Sequence, residues 1–360
     1  VIVAGAYGKS STSALLAHCL SEAGKDPSFF IGALPYTPST SARLGNGAMF
    51  VLEGDEYPSS NTDPRSKFLH FSPAHLLITP LAHDHFNVFP TPESYLEPFA
   101  ELVALLPEDG TLVISTGGAL SKKLIAPLMR SAITYGVHEG DYHAADIEWG
   151  ETTSFAVMHN ETAVAQVETS QLGEHSIENI LGVAAFLFSR SLVTREQFAE
   201  AIRSFRGIHR RLDKKSERTS IPIYEGFGSS YEKARSAIAA IKLHFPSRRL
   251  VIIFEPHTFS WRNRSSISWY DTAFEGAQKI FIYEPATQGA TTHAQLSQEE
   301  IVERARKAGF TAEAISNRDD ALGTIQNDME KDDVILFLTS GNLGGLMEPI
   351  IARAEQKFPR

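Results

Sequence analysis

The first eleven residues constrain this chain more than any other stretch. Val1-Ile2-Val3-Ala4 is the unbroken apolar run of a buried strand, Gly5-Ala6-Tyr7-Gly8-Lys9-Ser10-Ser11 follows as a glycine-rich turn, and the residues from Thr12 to Leu20 have helix-forming character. Strand, glycine turn and helix in that order build a phosphate cradle, because backbone N–H groups of the turn and the positive end of the helix converge on one anion. Lys9 adds a charge and Ser10 a hydroxyl suited to Mg²⁺. The pattern is the shortened G-x-x-G-K-S form, since Val3 stands where the longer form has its first glycine. Six residues of this kind recur by chance; the flanking strand and helix are what give them weight. Gly5, Gly8, Lys9, Ser10 and Ser11 are therefore the candidate nucleotide-binding residues, and ATP or GTP is the expected ligand.

A length of 360 residues leaves room for two or three domains, each with its own core. With 42% apolar and 21% charged residues the composition is that of a soluble globular enzyme, and a net charge of −10 argues against a partner such as nucleic acid. The single Cys19 cannot form an internal disulfide and falls in the apolar pattern of the first helix, so it reads as a reduced core residue of a cytoplasmic protein. The longest apolar run, 180–188, is too short to span a bilayer, and no basic-then-apolar leader precedes the first strand, so no membrane insertion is expected. A strand flush with residue 1 suggests that the chain is a fragment of a longer protein.

Strand-like runs at 49–52, 76–79 and 111–115 alternate with helical stretches at 92–106 and 122–129, the signature of a mostly parallel α/β sheet. From 133 to 168 short alternations with a His159-Asn160 turn predict a small antiparallel sheet appended to the first domain. A helix-rich stretch over 177–205 follows. The alternation then restarts, with strands at 221–224, 250–254, 279–283 and 334–339 and helices at 232–244, 298–308 and 318–329. We expect a central P-loop ATPase domain over 1–205 and a Rossmann-like C-terminal domain over 206–360.

Five spaced motifs together resemble the Mur ligase family of ATP-dependent amide-forming enzymes, in order and spacing over nearly the whole chain. They are the shortened P-loop, Val51-Leu52-Glu53-Gly54-Asp55-Glu56-Tyr57, Thr79-Pro80-Leu81-Ala82-His83-Asp84-His85, Gly173-Glu174-His175-Ser176-Ile177-Glu178-Asn179 and His209-Arg210-Arg211-Leu212-Asp213. The phrases Asp63-Pro64-Arg65-Ser66-Lys67-Phe68, Phe254-Glu255-Pro256-His257 and Ser340-Gly341-Asn342-Leu343-Gly344-Gly345 are similar to members that join alanine or a recycled peptide to UDP-N-acetylmuramate. Such members have an N-terminal domain that holds the UDP-sugar, and its absence is the expected reason for the abrupt first strand.

The resemblance implies ATP and Mg²⁺ as cofactors, and UDP-N-acetylmuramate with an amino acid or peptide as substrates of a cytoplasmic ligase in peptidoglycan synthesis or recycling. Transfer of the γ-phosphoryl group gives an acyl phosphate that an amine attacks. By the same resemblance Lys9 pairs with the β- and γ-phosphates, Ser10 and Glu53 hold one metal ion, His85 helps to hold a second, Asn179 reads adenine, and Arg211 stabilises the transferring phosphoryl group. Each residue has a plainer reading as well: a solvated loop acid for Glu53 and above all for Glu56, a chance pair for His83 and His85, a local hydrogen-bonder for Asn179, a solvated basic pair for Arg210 and Arg211.

The chain departs from the family pattern in three places. Many members carry a carbamylated lysine on the helix after the D-H pair, but no lysine or arginine lies between His85 and Glu101, where Glu93 and Glu97 serve as substitutes or as exposed helix acids. After the strand at 221–224 the chain reads Glu225-Gly226-Phe227-Gly228-Ser229-Ser230, where similar members have an acidic pair and two histidines. Thr258 and Trp261 occupy positions where alanine-adding members carry arginines. A ligase acting on a different carboxylate, and a nucleotide-binding relative with reduced catalysis, are the alternatives these changes raise.

Overall fold

The apolar run at the start of the chain becomes a strand with no exposed face. In the computed structural model, which describes residues 1–360 other than 86–87, 129–130 and 285–294, the strand Ile2–Ala4 is fully buried. It lies parallel to Phe50–Glu53 on one side and to His75–Ile78 on the other. Burial on both faces is why a three-residue strand here carries no polar residue.

The chain divides into two compact units, Val1–His209 and Arg210–Arg360. In the first, one ten-stranded sheet runs from edge to edge as Thr162–Thr169, Thr153–His159, Tyr142–Glu148, Ile133–Tyr135, Thr111–Ser115, His75–Ile78, Ile2–Ala4, Phe50–Glu53, Ser28–Phe30 and Ala42–Arg43. The strands from Ile133–Tyr135 to Ser28–Phe30 are parallel neighbours. The antiparallel segment expected as a small appended sheet is hydrogen-bonded onto this one as its continuation, joined at Tyr135 and Tyr142. The side chains alternate between two cores. Val3, Leu77 and Val113 meet the helices Lys9–Glu22, Glu174–Ser189 and Arg195–Ser204, whereas Ile2, Ala4, Leu76, Ile78, Leu112 and Ile114 meet Pro92–Ala104. The helix-rich stretch after the antiparallel segment is thus two helices, the second opened by a Thr194–Gln197 capping box. The helix expected over 122–129 is confined to Ser121–Ile125, and Met129 lies outside the described residues.

The second unit holds six strands in the order Arg211–Lys214, Ile223–Phe227, Asp333–Thr339, Arg249–Phe254, Lys279–Tyr283 and Ala312–Ile315, all parallel except the first. Tyr231–His244, Gln298–Lys307, Arg318–Asp328 and Met347–Lys357 are its main helices. Arg249 anchors one end of the sheet by ion pairs to Asp328 and to the fully buried Asp333. Among the described residues no helix is long and apolar enough to cross a membrane.

Candidate active site

Parallel strands deliver their C-terminal ends to one edge of the sheet, and the turn after each is where an open α/β sheet binds ligands. Here the turns after Ile2–Ala4, Phe50–Glu53 and His75–Ile78 bring Gly5–Ser10, Glu53–Glu56 and Thr79–His85 to the same edge. The first turn is held against the third: Ala6 N–H donates to Pro80 O at 3.0 Å, and Thr79 N–H to Ala4 O at 2.8 Å. Gly5 has φ +146°, and a Cβ there would sit 2.1 Å from Thr79 Oγ1. Gly8 takes the left-handed conformation at the start of Lys9–Glu22, and no side chain caps that helix. The N–H groups of its first turn are therefore left for an anion, which is the local requirement of a phosphate site.

Lys9 Nζ donates to Gly5 O at 2.6 Å and to Glu56 Oε1 at 3.1 Å, with Glu56 Oε2 at 2.9 Å. Ser10 Oγ donates to Glu53 Oε1 at 2.8 Å, while the other oxygen of Glu53 accepts from Gly32 N–H at 2.6 Å. His85 places Nε2 3.0 Å from Glu56 Oε1, packs edge-on against Tyr57, and has φ +56°, a left-handed backbone that the loop imposes. Among the described residues no hydrogen bond or ion pair joins His85 to Ser10 or Glu53. Glu56 is only 1% exposed. Burial alone would raise its pKa, but the His85 hydrogen bond and the Lys9 charge outweigh burial and hold it below the usual glutamate value.

Asn179 is buried beside the same loop. Its Oδ1 accepts from Thr12 Oγ1 at 3.0 Å, and a Cβ on Gly8 would stand 2.5 Å from that oxygen. Ser11 lies in the first turn of the helix with its side chain partly exposed. Next to Asn179, Glu178 Oε1 accepts from Ser115 Oγ at 2.6 Å; burial raises its pKa, and the Ser115 bond offsets only part of that. Arg211, in the second unit, opens its edge strand with an exposed side chain opposite Gly226. Arg210 is fixed there, bonded to Glu225 Oε1 at 3.1 Å and Gly341 O at 2.8 Å, with its guanidinium over the Phe227 ring.

The remaining candidates have structural work. His83 bonds Phe89 O within its own loop. Glu93 is exposed and pairs with Lys123, and Glu97 is exposed. Cys19 is buried, and burial pushes its thiol well above the usual range, so it is inert. Ser230 caps Tyr231–His244, Ser229 accepts from Lys233, and a Cβ on Gly226 would stand 3.2 Å from the Leu338 side chain and 3.4 Å from that of Ala237. Trp261 is fully buried among Phe254, Trp269 and Tyr270 and donates Nε1–H to Gly228 O at 2.8 Å, while Thr258 donates to Ser229 O.

Glu56 is the residue that motif reading undervalued. Its position past the strand end suggested a solvated loop acid, whereas the turn folds back and seats it between Lys9 and His85. The signal available in sequence was the neighbouring Asp55-Glu56-Tyr57, with an aromatic residue next to the acid.

The donor set fits magnesium: Ser10 and Glu53 are hard oxygen ligands on adjoining turns. No group of three His, Cys, Asp or Glu side chains able to hold a metal by themselves exists among the described residues. A Mg²⁺ ion here would therefore complete its shell with phosphate oxygens and water, as magnesium at nucleotide sites does.

The Mur ligase middle domain matches residues 3–187. The UDP-N-acetylmuramate–L-alanine ligase of Caldanaerobacter subterraneus subsp. tengcongensis is 28% identical over 346 residues, 95% of this chain and 73% of the relative. Among solved structures, the UDP-N-acetylmuramate-alanine ligase MurC of Thermotoga maritima aligns with 99% of this chain and 75% of its own, at a TM-score of 0.77 and 22% identity. A murein peptide ligase from Psychrobacter arcticus aligns with 98% of this chain and 77% of its own, at a TM-score of 0.61 and 22% identity. The chain belongs to the Mur ligase family, whose members are ATP-dependent ligases that form carbon–nitrogen bonds.

Proposed function

We propose that the protein joins an amino acid or a short peptide to UDP-N-acetylmuramate at the expense of ATP, in the cytoplasmic synthesis or recycling of peptidoglycan. The observation that carries this is the convergence of an uncapped, glycine-lined helix start, Lys9 and the Ser10–Glu53 pair on one sheet edge. Val1–His209 is the ATP-binding unit in this reading, and Arg210–Arg360 the C-terminal ligase unit.

A carboxylate is a poor electrophile, so it must be activated. A carboxylate oxygen of the substrate attacks the γ-phosphorus of ATP, and ADP leaves. The amine then attacks the acyl carbon of the acyl phosphate, inorganic phosphate departs with the C–O bond pair, and a proton leaves the nitrogen. This chain contributes positioning and charge neutralisation. Gly5, Gly8 and the N–H groups of Lys9, Ser10 and Ser11 seat the phosphates, Lys9 neutralises the β- and γ-oxygens, and Asn179 meets the adenine. Ser10 and Glu53 would hold one Mg²⁺, and His85 would help to hold a second. Magnesium, when bound, would supply charge neutralisation at the reacting groups. Arg211 stabilises the charge on the transferring phosphoryl group.

One observation favours a second reading, a ligase for a different carboxylate. Trp261 is sealed in an aromatic core and Thr258 is spent on Ser229, so neither offers a cation to an acidic substrate. The test that separates the two is ADP release by the full-length protein with Mg-ATP and UDP-N-acetylmuramate, comparing L-alanine, the L-alanyl-γ-D-glutamyl-diaminopimelate tripeptide and no amine. Release that depends on one amine and disappears in Lys9→Ala establishes the ligase and its acceptor. ATP binding with no amine-dependent release means either that the altered Gly226–Ser230 segment has cost the chemistry or that the true substrates lie outside this panel.

A further inference from the structure

One carboxylate touches two groups to which the ligase reading gives different tasks. Glu56 Oε1 lies 3.1 Å from Lys9 Nζ and 3.0 Å from His85 Nε2, and Oε2 lies 2.9 Å from Lys9. Lys9 spends its other bond on Gly5 O, at the end of the strand it follows. Its ammonium is thus folded back into its own loop, with two of its three donors engaged. We propose that Glu56 is a positioning residue of the ligase. In the nucleotide-free protein it stores Lys9 and orients His85 through the same carboxylate, and it yields Lys9 to the phosphates while keeping His85.

The two halves of this role pull nucleotide affinity in opposite directions. Phosphate oxygens compete with Glu56 for Lys9, so the carboxylate is a cost to ATP binding without metal. Toward His85 the carboxylate is a benefit. Facing Nε2 at 3.0 Å, it holds the ring in one orientation with Nδ1 turned away, 3.8 Å from Asp84 Oδ1, the way a carboxylate behind a metal-binding histidine orients it. A residue that only filled space would have no such division, because its loss would weaken every ligand of the loop alike.

The proposal rests on the ATP-site reading of Gly5–Ser10, and its test keeps the two apart. ATP affinity of the full-length protein is measured by calorimetry in EDTA. The Mn²⁺ concentration that half-saturates the protein–ATP complex is measured by electron paramagnetic resonance. Glu56→Gln keeps the shape and removes the charge. It is expected to bind ATP about tenfold more tightly in EDTA, the scale of one charge-assisted hydrogen bond relinquished. It should also need about tenfold more Mn²⁺, the scale of losing the partner behind a metal ligand. Glu56→Asp keeps the charge but draws it back by one methylene from both partners, which share Oε1, so both readouts should move in the direction of the glutamine variant. It carries the test if the glutamine variant does not fold. Weaker ATP binding in EDTA, or no change in either readout, overturns the proposal while normal wild-type binding leaves the ATP site standing. If the wild type binds no ATP, or Lys9→Ala binds it equally well, the site reading falls and the proposal with it.

Discussion

Replacing Gly5 by alanine tests whether the glycine-rich loop is built by its contact with the neighbouring turn. The added Cβ would stand 2.1 Å from Thr79 Oγ1, 2.7 Å from Thr79 O and 3.0 Å from Thr79 C, on a backbone with φ +146°. The hydroxyl can rotate away, losing its 3.2 Å bond to Ala4 O, a cost of about 1 kcal/mol. The carbonyl is held by the bonds that flank it, Thr79 N–H to Ala4 O and Ala6 N–H to Pro80 O. A non-glycine residue held in such a backbone region adds about 1–3 kcal/mol. Together Gly5→Ala should destabilise the first unit by about 2–4 kcal/mol. The double variant Gly5→Ala/Thr79→Ala relieves only the hydroxyl contact and should fall short of the summed singles by about 1 kcal/mol. Because the chain has two compact units, global unfolding is the wrong readout. Hydrogen exchange of amides in Ile2–Ala4 and His75–Ile78 reads the first unit, with Arg249–Phe254 as the internal control. If Gly5→Ala leaves exchange in those two strands within about 0.5 kcal/mol of wild type, below the smallest of these costs, the steric account of the loop is wrong.

Further expectations follow from other buried groups. Glu178 has a raised pKa, so the folded state holds a proton that the unfolded state releases, and stability declines as pH rises from 4.5 through the higher folded value. Glu178→Gln should therefore gain on the wild type in thermal melts at pH 8 and lose that advantage at pH 4; equal melting differences at both would contradict the assignment. Trp261→Ala should destabilise the second unit by about 3–5 kcal/mol as a large buried aromatic is removed, read as faster exchange across Arg249–Phe254. Trp261→Phe keeps most of the packing and should cost about 1–2 kcal/mol through the orphaned Gly228 carbonyl.

What the residues disclosed and what they concealed divide along one physical line. Local rules were legible: a continuous apolar run became the buried strand Ile2–Ala4, and the glycine turn before a helix became an uncapped helix start lined by Lys9 and Ser10. The parallel alternation was legible too, because Arg249–Phe254, Lys279–Tyr283 and Asp333–Thr339 carry long apolar or β-branched runs, whereas Ala312–Ile315 and Arg211–Lys214 do not. Those two are short edge strands with Glu313 or Asp213 in them, and an edge strand needs only one apolar face. Concealed were the features set by contacts between distant segments. The antiparallel strands from Tyr142 onward extend the main sheet because Ile133–Tyr135 offers its free edge to them, and no property of either sequence alone says so. Trp261 stands where alanine-adding members carry an arginine, and only the seating of its ring against Phe254 and Tyr270 shows it to be core. Glu56 is the sharpest case, since an acid three residues past a strand end is solvated by default. What buries it is the arrival of Lys9 from 47 residues upstream and of His85 from 29 residues downstream, and a buried carboxylate with two such partners is stable only as a set. The same dependence makes its burial sensitive to whatever takes Lys9 away, since the carboxylate would then keep His85 alone.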